Sequence, residues 1–174
     1  MRLFIGIKAG CGQHLAALQG ALKKMGRGRF THADNIHITL KFLGELPTSS
    51  IPVLRDAIDE AGGCAFELEC GGARLFNRGG IVSAEVAGDT EQLSVLHACL
   101  EAALERRGFA RDTRAFRPHI TLARDYKTPG DAAIENIPHG RCRFTVSEVV
   151  LFESRREGGR LVYAPLYAHE LQRR

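Results

Sequence analysis

The sequence predicts an α+β protein of two pseudo-symmetric lobes, each a mostly antiparallel sheet with helices on its outer face, around a central cleft. Two observations carry that expectation. The tetrapeptide His-Ile-Thr-Leu occurs twice, as His37-Ile38-Thr39-Leu40 and His119-Ile120-Thr121-Leu122, with the copies 119 − 37 = 82 positions apart. Histidine is scarce, 7 residues of 174, so a repeated His-containing word needs a cause. Around both copies the chain also follows one order: strand, helix, His-bearing strand, connection, then two strands. The repeat is one of order and not of detailed sequence. We therefore expect a single domain over residues 1–174, built from halves of roughly 1–78 and 79–174.

The elements follow in order. Leu3 to Ile7 is a short apolar strand closed by Gly10 and Gly12. From His14 to Met25, the residues Leu15, Leu18, Leu22 and Met25 recur at helical spacing. Lys23 and Lys24 occupy the last turn and Gly26 lies just beyond, which marks an amphipathic helix and its stop. Residues 27–34 read as a polar connection, 35–43 as the strand with the first tetrapeptide, and Gly44-Glu45-Leu46-Pro47 as a turn. Ser50 can cap a helix that has Pro52 in its first turn and ends near Ala61, before Gly62-Gly63. Phe66, Leu68 and Cys70 alternate with Glu67 and Glu69, and residues 73–76 form another short strand before the turn Asn77-Arg78-Gly79-Gly80.

The order then restarts. Ile81 to Val86 is a strand, and Thr90 caps a helix to about Arg107 with Leu93, Leu96, Leu100, Ala103 and Leu104 as its stripe. Gly108 stops it. Phe116 to Ala123 carries the second tetrapeptide, and Lys127 to Pro138 is a connection interrupted by Pro and Gly. Residues 143–152 and 161–171 are strands around the hairpin turn Glu157-Gly158-Gly159.

Composition bounds the partners. At 44% hydrophobic and 25% charged, the chain is an ordinary globular sequence long enough for one substantial core. A net charge of +4 suits an anionic ligand without demanding one. The five cysteines are odd in number and show no CxxC spacing, so neither a zinc ribbon nor a disulfide framework is expected, only reduced thiols. The opening apolar run is too short for a signal peptide, and no stretch is long enough to span a membrane. These readings lead us to expect a cytoplasmic monomer without membrane attachment.

Side chains on a strand alternate, so His37 and Thr39 point one way while Ile38 and Leu40 point the other, and the second copy repeats this. Two imidazoles in one site can be held one protonated and one neutral near neutrality, as a general acid and general base require. Threonine hydroxyls beside them can donate to anionic oxygens. Such a set describes in-line displacement at phosphorus, for which no metal or cofactor is needed. Zinc is the chemical rival, but His14, His32, His97, His139 and His169 are scattered and form no short-spaced ligand cluster. Lys41 shares the face of His37 and Thr39 and joins the substrate-binding candidates. By the same alternation Ala123 and not Arg124 shares the face of His119 and Thr121, so Arg124 arrives there only through a strand end or a bulge after Ala123.

The longer strings Asn35-Ile36-His37-Ile38-Thr39-Leu40-Lys41-Phe42-Leu43-Gly44-Glu45 and Arg117-Pro118-His119-Ile120-Thr121-Leu122-Ala123-Arg124 resemble the paired His-x-Thr-x motifs of the 2H phosphoesterase superfamily. Within it, the chain most resembles the bacterial and archaeal RNA 2′,3′-cyclic phosphodiesterases, also called 2′-5′ RNA ligases. Arg2-Leu3-Phe4-Ile5 at one end, and Leu151-Phe152-Glu153-Ser154 with Gly158-Gly159 and Tyr163 at the other, are similar to that family's ends. The resemblance implies the bilobal 2H fold and hydrolysis of RNA or nucleoside 2′,3′-cyclic phosphates to 2′-phosphomonoesters. It implies His37 as proton donor to the departing 3′-oxygen and His119 as proton acceptor from water. Thr39 and Thr121 would hold the phosphate oxygens, and Arg124 matches the family's basic residue after the second motif. Ligation through the same dyad, or a non-catalytic module that only grips RNA ends, are the alternatives.

Overall fold

The computed structural model describes residues 1–77, 80–129 and 133–173. In chain order its elements are β1 (Arg2–Lys8), α1 (Gly12–Met25), β2 (Arg27–Phe30), β3 (His37–Glu45), α2 (Ile51–Ala61), β4 (Phe66–Asn77), β5 (Ile81–Gly88), α3 (Thr90–Glu105), β6 (Ile120–Lys127), β7 (Cys142–Val146), β8 (Glu148–Glu157) and β9 (Arg160–Glu170). Arg78 and Gly79 of the expected turn, and residues 130–132 of the expected connection, lie outside the described residues.

Most elements stand where periodicity places them. The one strand expected over 143–152 is instead two, β7 and β8, parted at Ser147, of which β7 pairs with β4 and β8 with β1. The other departures have local causes. Strand β2 occupies the stretch read as connection. Its sequence Arg-Gly-Arg-Phe has no apolar alternation, because it is an edge strand with its first three residues exposed. The two short strands expected over 66–76 are one strand, β4. Pairing with β5 carries on past Gly71-Gly72 through a register shift between Cys70 and Ala73, and glycine there accommodates the bulge. Neither expected cap acts through its side chain. Ser50 makes no capping bond, and Asp89, not Thr90, precedes α3.

The strands form one sheet in the order β7-β4-β5-β6-β3-β1-β8-β9, with β2 added to β6. The pairings between these strands are antiparallel. At the centre, β3 and β6 meet through a single residue pair, Ile38 with Ile120. The sheet therefore splays into two four-stranded wings, β3-β1-β8-β9 and β6-β5-β4-β7, about a local two-fold at that pair. Each sequence half sends strands to both wings: β4 crosses to pair with β5, and β8 returns to pair with β1. On one face Ile38, Leu40, Ile120 and Leu122 are buried in the same core cluster as Leu15 and Leu22 of α1, Leu54 and Ile58 of α2 and Leu100 of α3. A second, small cluster of Phe4, Val150 and Phe152, with Tyr163 against it, is separate from that core.

The expectation of five free thiols is corrected at one pair. Cys11, before α1, and Cys142, at the start of β7, form a disulfide with Cα atoms 6.0 Å apart at a sequence separation of 131. No spacing motif announces a pair so far apart. Cys64, Cys70 and Cys99 are free. No described helix is long and apolar enough to cross a membrane.

Candidate active site

The single β3–β6 pair sets the geometry of the two motifs. In an antiparallel register through Ile38 and Ile120, His37 is level with Thr121 and Thr39 with His119, since 37 + 121 = 39 + 119 = 38 + 120. Both isoleucines are fully buried, so the histidines and threonines share the opposite face. Each copy of the word thereby completes the other.

Each imidazole is aimed by the main chain two residues upstream. His37 Nδ1 donates to the Asn35 carbonyl at 2.6 Å, and His119 Nδ1 donates to the Arg117 carbonyl at 2.9 Å. A carbonyl can only accept, so Nδ1 carries the proton in both rings and Nε2 is the exchangeable position. His37 Nε2 lies 3.0 Å from Thr39 Oγ1. His119 Nε2 has no hydrogen-bond partner among the described residues. The two sites thus differ in detail although their words are identical.

Residues outside the set of site candidates hold these rings. The buried Asn35 amide donates to the Leu161 carbonyl at 2.8 Å and accepts from the Tyr163 amide at 3.1 Å, which ties the carbonyl that orients His37 to β9. Phe4 and Tyr163 stand 4.9 and 5.0 Å from the His37 ring. Phe76 stacks on His119 at 3.9 Å, and the Arg117 guanidinium lies 5.2 Å from the same phenyl ring. Apolar patterning could not separate Phe4 and Phe76 from core residues, and the partners of Asn35 are more than a hundred positions away in sequence.

Two bulges decide which basic residue faces the site. Along β6 the pairs Ala84–Ile120 and Ser83–Thr121 keep one register, and Val82–Ala123 is shifted by one. The extra residue leaves Leu122 and Ala123 both buried, and Arg124 returns to the exposed side that Thr121 shares. Along β3 the same shift falls between Gly6–Thr39 and Ile5–Lys41. Leu40 and Lys41 are both buried as a result, and Phe42 emerges with 61% of its surface exposed. Phe42 follows His37 by five positions, as Arg124 follows His119. One motif therefore ends on a cation and the other on an open ring.

Strict alternation misplaced Lys41 for this reason. Lys41 is 7% exposed, pairs with Glu101 of α3 at 2.8 Å and donates to the Ala110 carbonyl at 2.9 Å. It stands on the helix side of the sheet and does not join His37, Thr39, His119, Thr121 and Arg124.

Burial is the largest influence on both imidazoles and pushes their pKa values down. The bonds to the Asn35 and Arg117 carbonyls oppose this, and the Arg124 charge adds to the lowering at both rings, with His119 adding to it at His37 and Arg117 at His119. Both rings are therefore biased toward the neutral form until an anion binds, whose charge would raise them again. Among the described residues, no group of three or more His, Cys, Asp or Glu side chains gathers as a metal site would need.

The family model described as the 2′-5′ RNA ligase superfamily matches residues 11–158. The chain is 32% identical over 142 residues to the RNA 2′,3′-cyclic phosphodiesterase of Escherichia coli K12, covering 80% of this chain and 77% of that protein. It is also 32% identical over 144 residues to the RNA 2′,3′-cyclic phosphodiesterase of Geobacillus stearothermophilus, where the match covers 74% of this chain but only 43% of that longer relative. In structure it superimposes on E. coli LigT, crystallised with 3′-AMP, with a TM-score of 0.82 at 28% identity, over 98% of this chain and 97% of that one.

Proposed function

Because the chain belongs to the 2′-5′ RNA ligase superfamily, the 2H phosphoesterases, we propose that it is a metal-independent RNA 2′,3′-cyclic phosphodiesterase. It opens the cyclic phosphate at an RNA or nucleotide end and leaves the phosphate on the 2′-oxygen. The observation that carries this reading is the pair of imidazoles flanking Ile38–Ile120, each with Nδ1 fixed to a carbonyl and Nε2 left to exchange a proton.

His119 Nε2, open on its ring edge, takes a proton from water as the water oxygen attacks phosphorus. The bond from phosphorus to the 3′-oxygen breaks in line, and His37 gives its Nε2 proton to that oxygen. The substrate gains one water, and the two histidines end with their protonation exchanged. Thr39, Thr121 and Arg124 face the same space and donate to the non-bridging oxygens as charge builds there. The unpartnered His119 Nε2 supports base duty for His119, and the Thr39 contact at His37 Nε2 supports a ring held for proton donation. The reading includes a monomer in the cytoplasm. Against that compartment stands the Cys11–Cys142 disulfide, of a kind uncommon in cytosolic proteins.

Incubation with a nucleoside 2′,3′-cyclic phosphate in EDTA, resolving the 2′- from the 3′-phosphate, is the direct test. The 2′-phosphate alone is expected. No turnover, loss of turnover in EDTA, or a 3′-phosphate product contradicts the proposal. Arg124→Gln is expected to lower kcat by about 10²- to 10³-fold, the effect of losing one donor to a developing oxyanion. Because the Arg124 charge lowers both histidines, its removal raises both imidazole pKa values, which NMR titration of the free protein reads. Unmoved titrations would separate Arg124 from the site.

A further inference from the structure

A groove of about 790 Å³ runs between the C-terminal turn of α1 and the β2–β6 edge. Its charged lining is Lys23, Lys24, Arg27, Arg29, Lys127 and Asp125. Five cations against one carboxylate give 5 − 1 = +4, equal to the formal net charge of the whole chain. The basic excess of the sequence is thus matched in the walls of one groove. Arg29 is paired with Asp125, its Nε 2.6 Å from the carboxylate, and Lys23 lies 5.2 Å over the Phe30 ring. Lys24, Arg27 and Lys127 have no carboxylate within ion-pair distance among the described residues.

The local sequence Gly26-Arg27-Gly28-Arg29 builds this surface. A Cβ at Gly26 would come within 2.4 Å of the Lys127 carbonyl oxygen, and one at Gly28 within 3.0 Å of the Arg124 carbonyl oxygen. The glycines therefore face β6 and let β2 lie close against it, and alternation turns both arginines outward. Lys23 and Lys24 have a second reason to be where they are, since cations suit a helix C-terminus. That reason does not extend to Arg27 or Lys127. The groove also adjoins the site: Arg29 is the register partner of Arg124, and from Arg124 to Lys127 is three residues of strand, about 10 Å.

We propose that this groove holds the sugar–phosphate backbone of the RNA chain on the 5′ side of the cyclic phosphate, so that the protein binds oligonucleotides in preference to mononucleotides. The inference rests on the reading that the His37–His119 site takes an RNA end. An unpaired row of cations leading away from such a site suits a flexible polyanion, whose binding releases counterions and is steeply salt-dependent.

The test is the double variant Arg27→Glu/Lys127→Glu, checked for an unchanged thermal transition. Its binding is measured by fluorescence anisotropy with a labelled single-stranded RNA of about ten nucleotides ending in a 2′-phosphate. The wild type should bind this RNA more tightly than the matching mononucleotide. The variant should bind it about tenfold or more weakly at low salt, with a salt slope shallower by about 0.7 for each phosphate that is no longer neutralised. Hydrolysis of a nucleoside 2′,3′-cyclic phosphate should be unchanged. Unchanged RNA affinity, or an equal loss for RNA and mononucleotide, overturns the proposal. If the wild type hydrolyses no cyclic phosphate, the enzymatic reading fails, yet the RNA affinities still decide the groove. Retention on anionic vesicles that the variant loses, with RNA affinity unmoved, would assign the groove to a membrane surface and overturn it.

Discussion

Alanine at His119 is expected to lower kcat for cyclic phosphate opening by about 10²- to 10⁴-fold, and alanine at His37 to do the same. The double substitution should cost little more than either alone, because an acid and a base that act in one proton exchange are not additive. The geometry motivates both parts. The two Nε2 atoms sit on one sheet face on either side of the Ile38–Ile120 pair, and each ring is fixed through Nδ1 by its own carbonyl. Were the histidines only gripping phosphate, KM would rise, kcat would hold and the two losses would add. Steady-state kinetics of the three variants separate these cases.

Lys41→Met is expected to destabilise the fold by about 3–5 kcal/mol, the cost of removing one partner of a buried ion pair. Glu101 is 3% exposed, its carboxylate takes the Lys41 ammonium at 2.8 Å, and it also accepts the Asp112 amide at 3.0 Å. Methionine fills the lysine stem's space but leaves that carboxylate without its cation. Urea unfolding should show the loss, and Lys41→Met/Glu101→Leu should recover most of it, since a buried pair replaced as a unit is often nearly neutral. The activity of the folded fraction should stand. A fall in kcat/KM at unchanged stability would return Lys41 to the substrate.

Lys41 and Arg124 also show where sequence reading stops. The burial of Ile38, Leu40, Ile120 and Leu122 follows from alternation alone, and the stripes of α1 and α3 follow from helical period. A bulge, in contrast, is a property of two strands in register. Nothing within the His-bearing strands says that β1 and β5 will skip one residue against them. The same displacement that brings Arg124 to the site takes Lys41 away from it, so strict counting errs at both. The Cys11–Cys142 pair, the Asn35 tie to β9 and the stacking of Phe76 on His119 are likewise long-range matters that no local word records. Strand β2 escaped for the opposite reason, because an exposed edge needs no apolar signal.

The central claim is that the two identical words supply unlike halves of one proton exchange. The dependence of kcat/KM on pH tests it most directly, because it reports the essential acid and base of the free enzyme. Both imidazoles are lowered from 6.5, so a bell centred on the acid side of 6.5 is predicted, its two apparent values belonging to the pair. A bound anion raises the proton donor, so the alkaline limb of kcat should lie above that of kcat/KM. The acid limb reports the base becoming protonated and should vanish in His119→Ala. The alkaline limb reports the acid losing its proton and should vanish in His37→Ala. A profile without two limbs, or the loss of the same limb in both variants, would contradict the account.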